Sequence, residues 1–157
     1  MYQHIVVPLD GSNMAEVALP HMQQIAKGCG TEEVTLVRAI KQTKGYKRVT
    51  DYSKAVGTTP TTQPQGGKER KAEEYLSVMA KKLQDEGIKV QTKVLLGKPA
   101  EAIIFYAAHN PCDLIVMATH ARSGFIRLIR RSVANKIVRA SIAPILMVRG
   151  PGSVPGV

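Results

Sequence analysis

The sequence predicts an α/β domain, a doubly wound five-stranded parallel sheet with helices on both faces. Three observations predict it. Short apolar runs alternate with segments of helical period along nearly the whole chain. The first and fourth runs are almost continuously apolar, as strands buried on both faces are. The order is strand–helix four times and then a strand, which implies right-handed crossovers and so parallel pairing. A chain of 157 residues has room for one domain with a real core, and 44% hydrophobic residues suit a globular protein. With 4% aromatics and no Trp, that core must be aliphatic.

Taken in order, His4 to Leu9 reads as the first strand, and Asp10-Gly11 turns the chain. Ser12 can cap the next helix by accepting a backbone N–H bond. In that helix Ala15, Ala18, Leu19, Met22, Ile25 and Ala26 share a face, Pro20 should bend it locally, and Gly28 and Gly30 end it. Val34 to Ile40 is the second strand. Residues 41 to 67 lose periodicity and fill with Thr, Gln, Gly and Lys, which reads as a mobile, protease-sensitive loop or lid. From Lys68 the chain is helical, with Ala72, Leu76, Met79, Ala80 and Leu83 on one stripe and Gly87 as terminator. Ile88 to Val94 alternates with period two, a strand with one exposed face. Pro99 opens a helix whose buried face is Ala100, Ile103, Ile104 and Ala107. Asp113 to Ala118 is the fourth strand. Ser132 to Ser141 is the last helix, expected to carry Val133, Ile137 and Val138 inward, and Pro144 to Val148 closes the sheet. The Gly/Pro-rich stretch 150 to 157 reads as a disordered tail, which leaves 1 to 149 as the domain.

Composition excludes several classes of function. No apolar run approaches the roughly 18 residues of a membrane span, and the start shows no cleavable leader, so a cytoplasmic location is expected. Cys29 and Cys112 have no His at ligand spacing and read as two reduced thiols. The formal charge of +10 is uneven. After Asp113 there is no acidic residue, while Arg122, Arg127, Arg130, Arg131, Lys136, Arg139 and Arg149 follow. A second basic run holds Arg38, Lys41, Lys44, Lys47, Arg48 and Lys54. Such asymmetry favours a phosphate-bearing partner without specifying which. Interleaved aromatics and a recognition motif are both lacking, so a nucleic-acid partner is not expected.

In a parallel sheet, ligands bind beyond the carboxyl ends of the strands where the strand order reverses. Two segments would meet at such an edge, Pro8 to Ser12 and Ala118 to Arg122. The residues there resemble a known family. Val6-Val7-Pro8-Leu9-Asp10-Gly11-Ser12 resembles the opening motif of universal stress proteins. Gly97 to Ile103 resembles their third-helix entry, Asp113 to Gly124 their signature after strand four, and Ser132 to Ile137 with Ala143 to Val148 their closing helix and strand. The likeness spans the chain except for 41–67 and the tail. It implies a Rossmann-like fold of the adenine nucleotide α-hydrolase type.

ATP-binding members of that family carry Gly, two residues, Gly, nine residues, Gly, then Ser or Thr. Here those positions are Ala118, Ala121, Arg131 and Ser132, so the three glycines are replaced and the hydroxyl survives. Glycine lets backbone N–H groups approach phosphate and permits positive φ. Alanine is cheap at negative φ and costs on the order of 1–2 kcal/mol at positive φ. Arg131 would either fill the phosphate space or fold outward, and its charge would either impair ATP binding or convert the site to a smaller anion. By resemblance, what remains of a nucleotide site is Pro8, Asp10, Ala39, Met117, Ser132 and Val133, with Asp10 the metal ligand if a magnesium nucleotide binds. Asp10-Gly11-Ser12 reads equally well as a turn with a helix cap, Ser132 as an ordinary N-cap, and Met117 as core. His120 has no nucleophile or carboxylate placed beside it by motif. With no Walker lysine motif and no paired carboxylates, no catalytic residues are expected, and no cofactor is required beyond ATP with magnesium as an optional ligand. The resemblance also implies a homodimer paired through the last strand, over Ile145, Leu146, Met147 and Val148.

Overall fold

The apolar run at the start of the chain becomes the middle of the sheet. In a computed structural model, which describes residues 2–41, 67–119 and 132–150, β1 (His4–Pro8) is flanked by β2 (Glu33–Ile40) and β4 (Leu114–Thr119). β3 (Val90–Leu96) and β5 (Ile145–Arg149) form the edges, giving the order β3-β2-β1-β4-β5. Every pairing is parallel. The strand order therefore reverses between β1 and β4, as the sequence implied.

Strand alternation divides the core in two. Ile5 and Val7 of β1, with Val34 and Leu36 of β2, point to the face covered by α2 (Ala18–Cys29) and α3 (Gly67–Asp85). Val6 and Val37 point the other way, to α4 (Pro99–His109) and α5 (Val133–Ala140). Ile5, Leu36, Leu76, Ile115 and Ile137 are fully buried, and each contributes about 1.5–3 kcal/mol relative to exposure. The five α3 residues expected on one stripe are all buried.

Four expectations need correction. The first helix is two. α1 (Asn13–Glu16) ends at Val17, before α2 begins. Pro20 is the cause, because it has no N–H to return to the carbonyl of Glu16, four residues back. The break thus falls ahead of the proline, which sits in the first turn of α2 where an N–H is not needed. Gly28 does not end α2. The helix runs through it and stops at Gly30, whose φ of 63° gives a left-handed C-cap. β3 starts later and runs further than alternation suggested. Ile88 is buried in the turn after Gly87, but register with β2 begins at Val34↔Val90 and lasts to Ile40↔Leu96. In α5, Ile137 and Ala134 face the core, while Val133 and Val138 are 39% and 45% exposed. Val138 follows Ile137 by about 100° around the helix, too far to share so narrow a stripe. The expected loop and tail lie, apart from Lys41, Gly67 and Gly150, outside the described residues. Among those described, no helix is long and apolar enough to cross a membrane.

The base of the β1–β4 seam is held by Asp113. Its Oδ2 accepts bonds from the backbone N–H groups of Gln3 and His4, both at 2.9 Å, and its own N–H donates to the His4 carbonyl at 2.9 Å. The His4 N–H bond, opposed by partial desolvation and aided by the Gln3 N–H, holds this carboxyl below the usual range. A carboxyl depressed in the folded state adds stability above its unfolded pKa and loses it as pH falls through the folded one. We therefore expect Asp113→Ala to cost about 1 kcal/mol at pH 7, below the roughly 1.5–3 kcal/mol of buried bonds to a charged acceptor because the side chain is 44% exposed. The variant should also lose less stability than the parent between pH 7 and pH 3. Urea unfolding midpoints at the two pH values measure both effects, and parallel acid losses would show that Asp113 does not staple the seam.

Candidate functional site

A crevice opens at the carboxyl edge because β1 stays with one neighbour and leaves the other. β1 is in register with β2 to its last residue, Pro8↔Val37, and the Leu9 N–H still donates to the Val37 carbonyl at 2.8 Å. With β4 the register is Ile5↔Leu114 and Val6↔Ile115. Successive N–H groups of a strand point to opposite neighbours. Since that of Leu9 faces β2 and that of His4 faces the Asp113 carboxylate, residue 8 would donate towards β4. Residue 8 is proline and has nothing to donate. The sheet parts at that point.

On one side of the parting lies the β1–α1 turn. Asp10 Oδ1 accepts from Ser12 N–H at 2.8 Å and from Ser12 Oγ–H at 2.6 Å. Ser12 Oγ in turn accepts from Ala15 N–H at 3.2 Å and caps α1. Gly11, between them, has φ of +88°, which an L side chain rarely adopts. Turn and cap are thus both present, and the Asp10 carboxylate is exposed but already shared with Ser12.

Across the parting, β4 continues with β5 as far as Thr119↔Arg149. Met117 is buried at 5% in the α4/α5 cluster, where Ala39 of β2 also packs. Ala118 turns its methyl to the other cluster. Its φ is not positive, as is true of every non-glycine among the described residues, so alanine carries no backbone strain there. Ser132 accepts from Asn135 N–H at 3.1 Å and caps α5, and Val133 is partly exposed in its first turn. Pro8, Asp10, Ala39, Met117 and Ala118 are therefore brought to the ends of three adjacent strands, with Ser132 and Val133 opening the helix that follows β4. Ala121, Arg131 and His120 lie outside the described residues.

One group at this edge escaped the sequence reading. Arg38, counted there in a basic run, shares the register face of Val34 and Leu36 and places its Cζ 5.0 Å from the Tyr75 ring centroid. Tyr75 Oη donates to Glu16 Oε1 at 2.9 Å. Burial, then the Glu16 bond, pushes the phenol well above its usual range, so it remains a donor. Period two within β2 was the available signal. Burial also pushes the Cys112 thiol up to about 11, which fits an unreactive thiol. Among the described residues no three His, Cys, Asp or Glu side chains gather as a metal site.

Residues 1–149 match the model of the universal stress protein family. Universal stress protein MJ0531 of Methanocaldococcus jannaschii is 30% identical over 154 residues, covering 96% of this chain and 84% of the relative. MJ0577 of the same organism is 28% identical over 161 residues, 98% of each chain. The solved structure of MJ0577 aligns with a TM-score of 0.73 over 98% of this chain and 99% of that one, at 27% identity. A universal stress protein solved in complex with cAMP aligns with a TM-score of 0.70 over 94% and 97%, at 21% identity.

The role given to Pro8 is open to direct test. Pro8→Ala supplies the missing donor, and the amide of residue 8 should exchange at least about tenfold more slowly than a free amide as the β1–β4 ladder extends. An unprotected amide at that position would mean that something other than proline parts the strands.

Proposed function

The chain belongs to the universal stress protein family, and from that premise we propose a non-catalytic, dimeric stress-response or signalling protein whose nucleotide crevice is altered at its phosphate end. One observation carries this reading: the polar groups that the crevice retains are employed in building it. Asp10 holds Ser12, Ser12 caps α1, and Ser132 caps α5. Fold alone would not argue for turnover. The replacement of family glycines by Ala118, Ala121 and Arg131 points the same way, with Arg131 the change that matters most, since alanine at 118 fits its backbone. The site of action proposed is the cytoplasm.

A second reading, a sensor that keeps an adenine nucleotide over a modified phosphate loop, is favoured by the opposite half of the crevice. Pro8 and Ala39, partly exposed at the ends of β1 and β2 with Met117 buried beside them, offer apolar surface suited to a base, and a neighbour of the same fold was solved with cAMP. On this reading Ser132 and Val133 open the helix towards phosphate, and Asp10 would hold magnesium while keeping its bond to Ser12. Such an ion would supply charge neutralisation to the phosphates.

The proposed dimer uses β5. Of Ile145, Leu146, Met147 and Val148, Val148 is buried at 7% and Met147 is 40% exposed. Val138 and Ile142, 45% and 81% exposed, add apolar surface just before the strand. An edge of this kind pairs readily with a second copy.

Two measurements test the proposal. In calorimetry with ATP and magnesium, Arg131→Gly should bind more tightly than the parent protein, and adding Ala118→Gly and Ala121→Gly should improve it further. Tight binding by the parent that is lost on Arg131→Gly would move the assignment to the nucleotide sensor, since a charge-assisted bond contributes roughly 1.5–3 kcal/mol. Sedimentation at micromolar concentration should give twice the 17.1 kDa chain mass, and Met147→Lys should reduce it to one chain. A parent sedimenting as a single chain would overturn the dimer.

A further inference from the structure

The Asp10–Ser12 turn is approached by a side chain from the face of the sheet opposite Ala39 and Met117. Arg38 and Ala39 are neighbours in β2 and point to opposite faces, Ala39 towards the α4/α5 cluster and Arg38 towards α3. Arg38 therefore does not line the crevice floor. Its guanidinium lies against Gly11 instead. A Cβ added at Gly11 would stand 2.8 Å from Nη2, 2.9 Å from Cζ and 3.0 Å from Nη1, so the guanidinium occupies the space that a side chain at this position would take. The cation sits 5.0 Å from the centroid of Tyr75 of α3, within the range of a cation–π contact. Tyr75 passes the connection on through its hydroxyl to Glu16, the last residue of α1.

We propose that Arg38, Tyr75 and Glu16 form a positioning brace that fixes the Asp10–Gly11–Ser12 turn, and through it the β1 lip of the crevice. The proposal deepens the function given above and rests on it for its ligand. The connections form a closed circuit. Asp10 bonds Ser12, Ser12 caps α1, α1 ends in Glu16, Glu16 accepts from Tyr75, Tyr75 underlies Arg38, and Arg38 returns to Gly11. The turn is short and α1 is a single turn of helix without a fully buried residue, reaching the core through the partly buried Ala15, so its anchorage is thin. Glycine at 11 does two jobs, giving the positive φ and leaving room for the guanidinium. Arginine offers a planar cation that can lie between the glycine and the ring, where lysine would offer a point charge.

Three variants separate a brace from mere filling of space. Arg38→Met keeps the stem and removes the plane and charge, Tyr75→Phe keeps the ring and removes the bond to Glu16, and Glu16→Gln keeps an acceptor. Amide exchange at residues 10 to 12 should quicken about tenfold in Arg38→Met and about threefold in Tyr75→Phe, the span of one hydrogen bond, and stay near the parent in Glu16→Gln. Exchange in β3 and α5 should not change. Unchanged exchange at the turn in the first two variants overturns the brace, as does a uniform quickening through the whole fold. Calorimetry with ATP and magnesium, run on Arg131→Gly so that binding is measurable, should then show about five- to tenfold weaker binding when Arg38→Met is added. Equal affinity with a loosened turn overturns the link from turn to crevice. If Arg131→Gly itself does not bind ATP, the nucleotide reading fails and the exchange result decides the brace by itself.

Discussion

The architecture hangs on a short seam between β1 and β4. It joins a three-stranded half, β3-β2-β1, to the pair β4-β5, and its register runs through only Ile5 and Val6. At its base, the Asp113 carboxylate accepts from the Gln3 and His4 N–H groups and the His4 carbonyl accepts from the Asp113 N–H, three bonds that tie the two strands together. At its top, a proline withholds the next donor. One end is stapled and the other left open, and the opening falls where the strand order reverses. The crevice follows from backbone hydrogen bonding before any ligand-facing side chain is considered.

Much of this was legible because buried strands and helix stripes leave strong periodic traces. The five residues chosen on α3 are all buried, and the two edges expected to meet are those of adjacent strands. Errors arose where a backbone constraint outranked side-chain pattern. Pro20 acts on the carbonyl four residues before it, so its mark in the structure is at Glu16 and Val17. β3 takes its ends from register with β2, although Ile88 is apolar and buried. Val138 looked inward by composition, yet Ile137 beside it fills the narrow contact.

The candidate site was half legible. The turn, the two caps and the core position of Met117 could be argued from residue type, since Ser, Asp and Gly have few ways to satisfy a helix start. Arg38 was hidden because charge counts ignore direction. Strand alternation sends it to the same side as Val34 and Leu36, under α3, where it meets an aromatic ring. The consequence of Ala118 also depended on geometry: the family glycine is absent, but its backbone there stays in the range open to any residue.

The two edges of the sheet differ in a way that bears on growth. β3 presents Gln91, Thr92 and Lys93 in succession, all exposed, and a charged, polar edge resists further strands. β5 presents Met147. The proposed pairing through β5 would use the same surface on both copies, so the contact would consume itself and the particle would close at two. Had β3 been as apolar as β5, each new copy would have offered a fresh edge to the next, and the same fold would extend into a filament. In the proposed dimer, the polar β3 edge, Lys93 included, would thereby keep assembly at two copies.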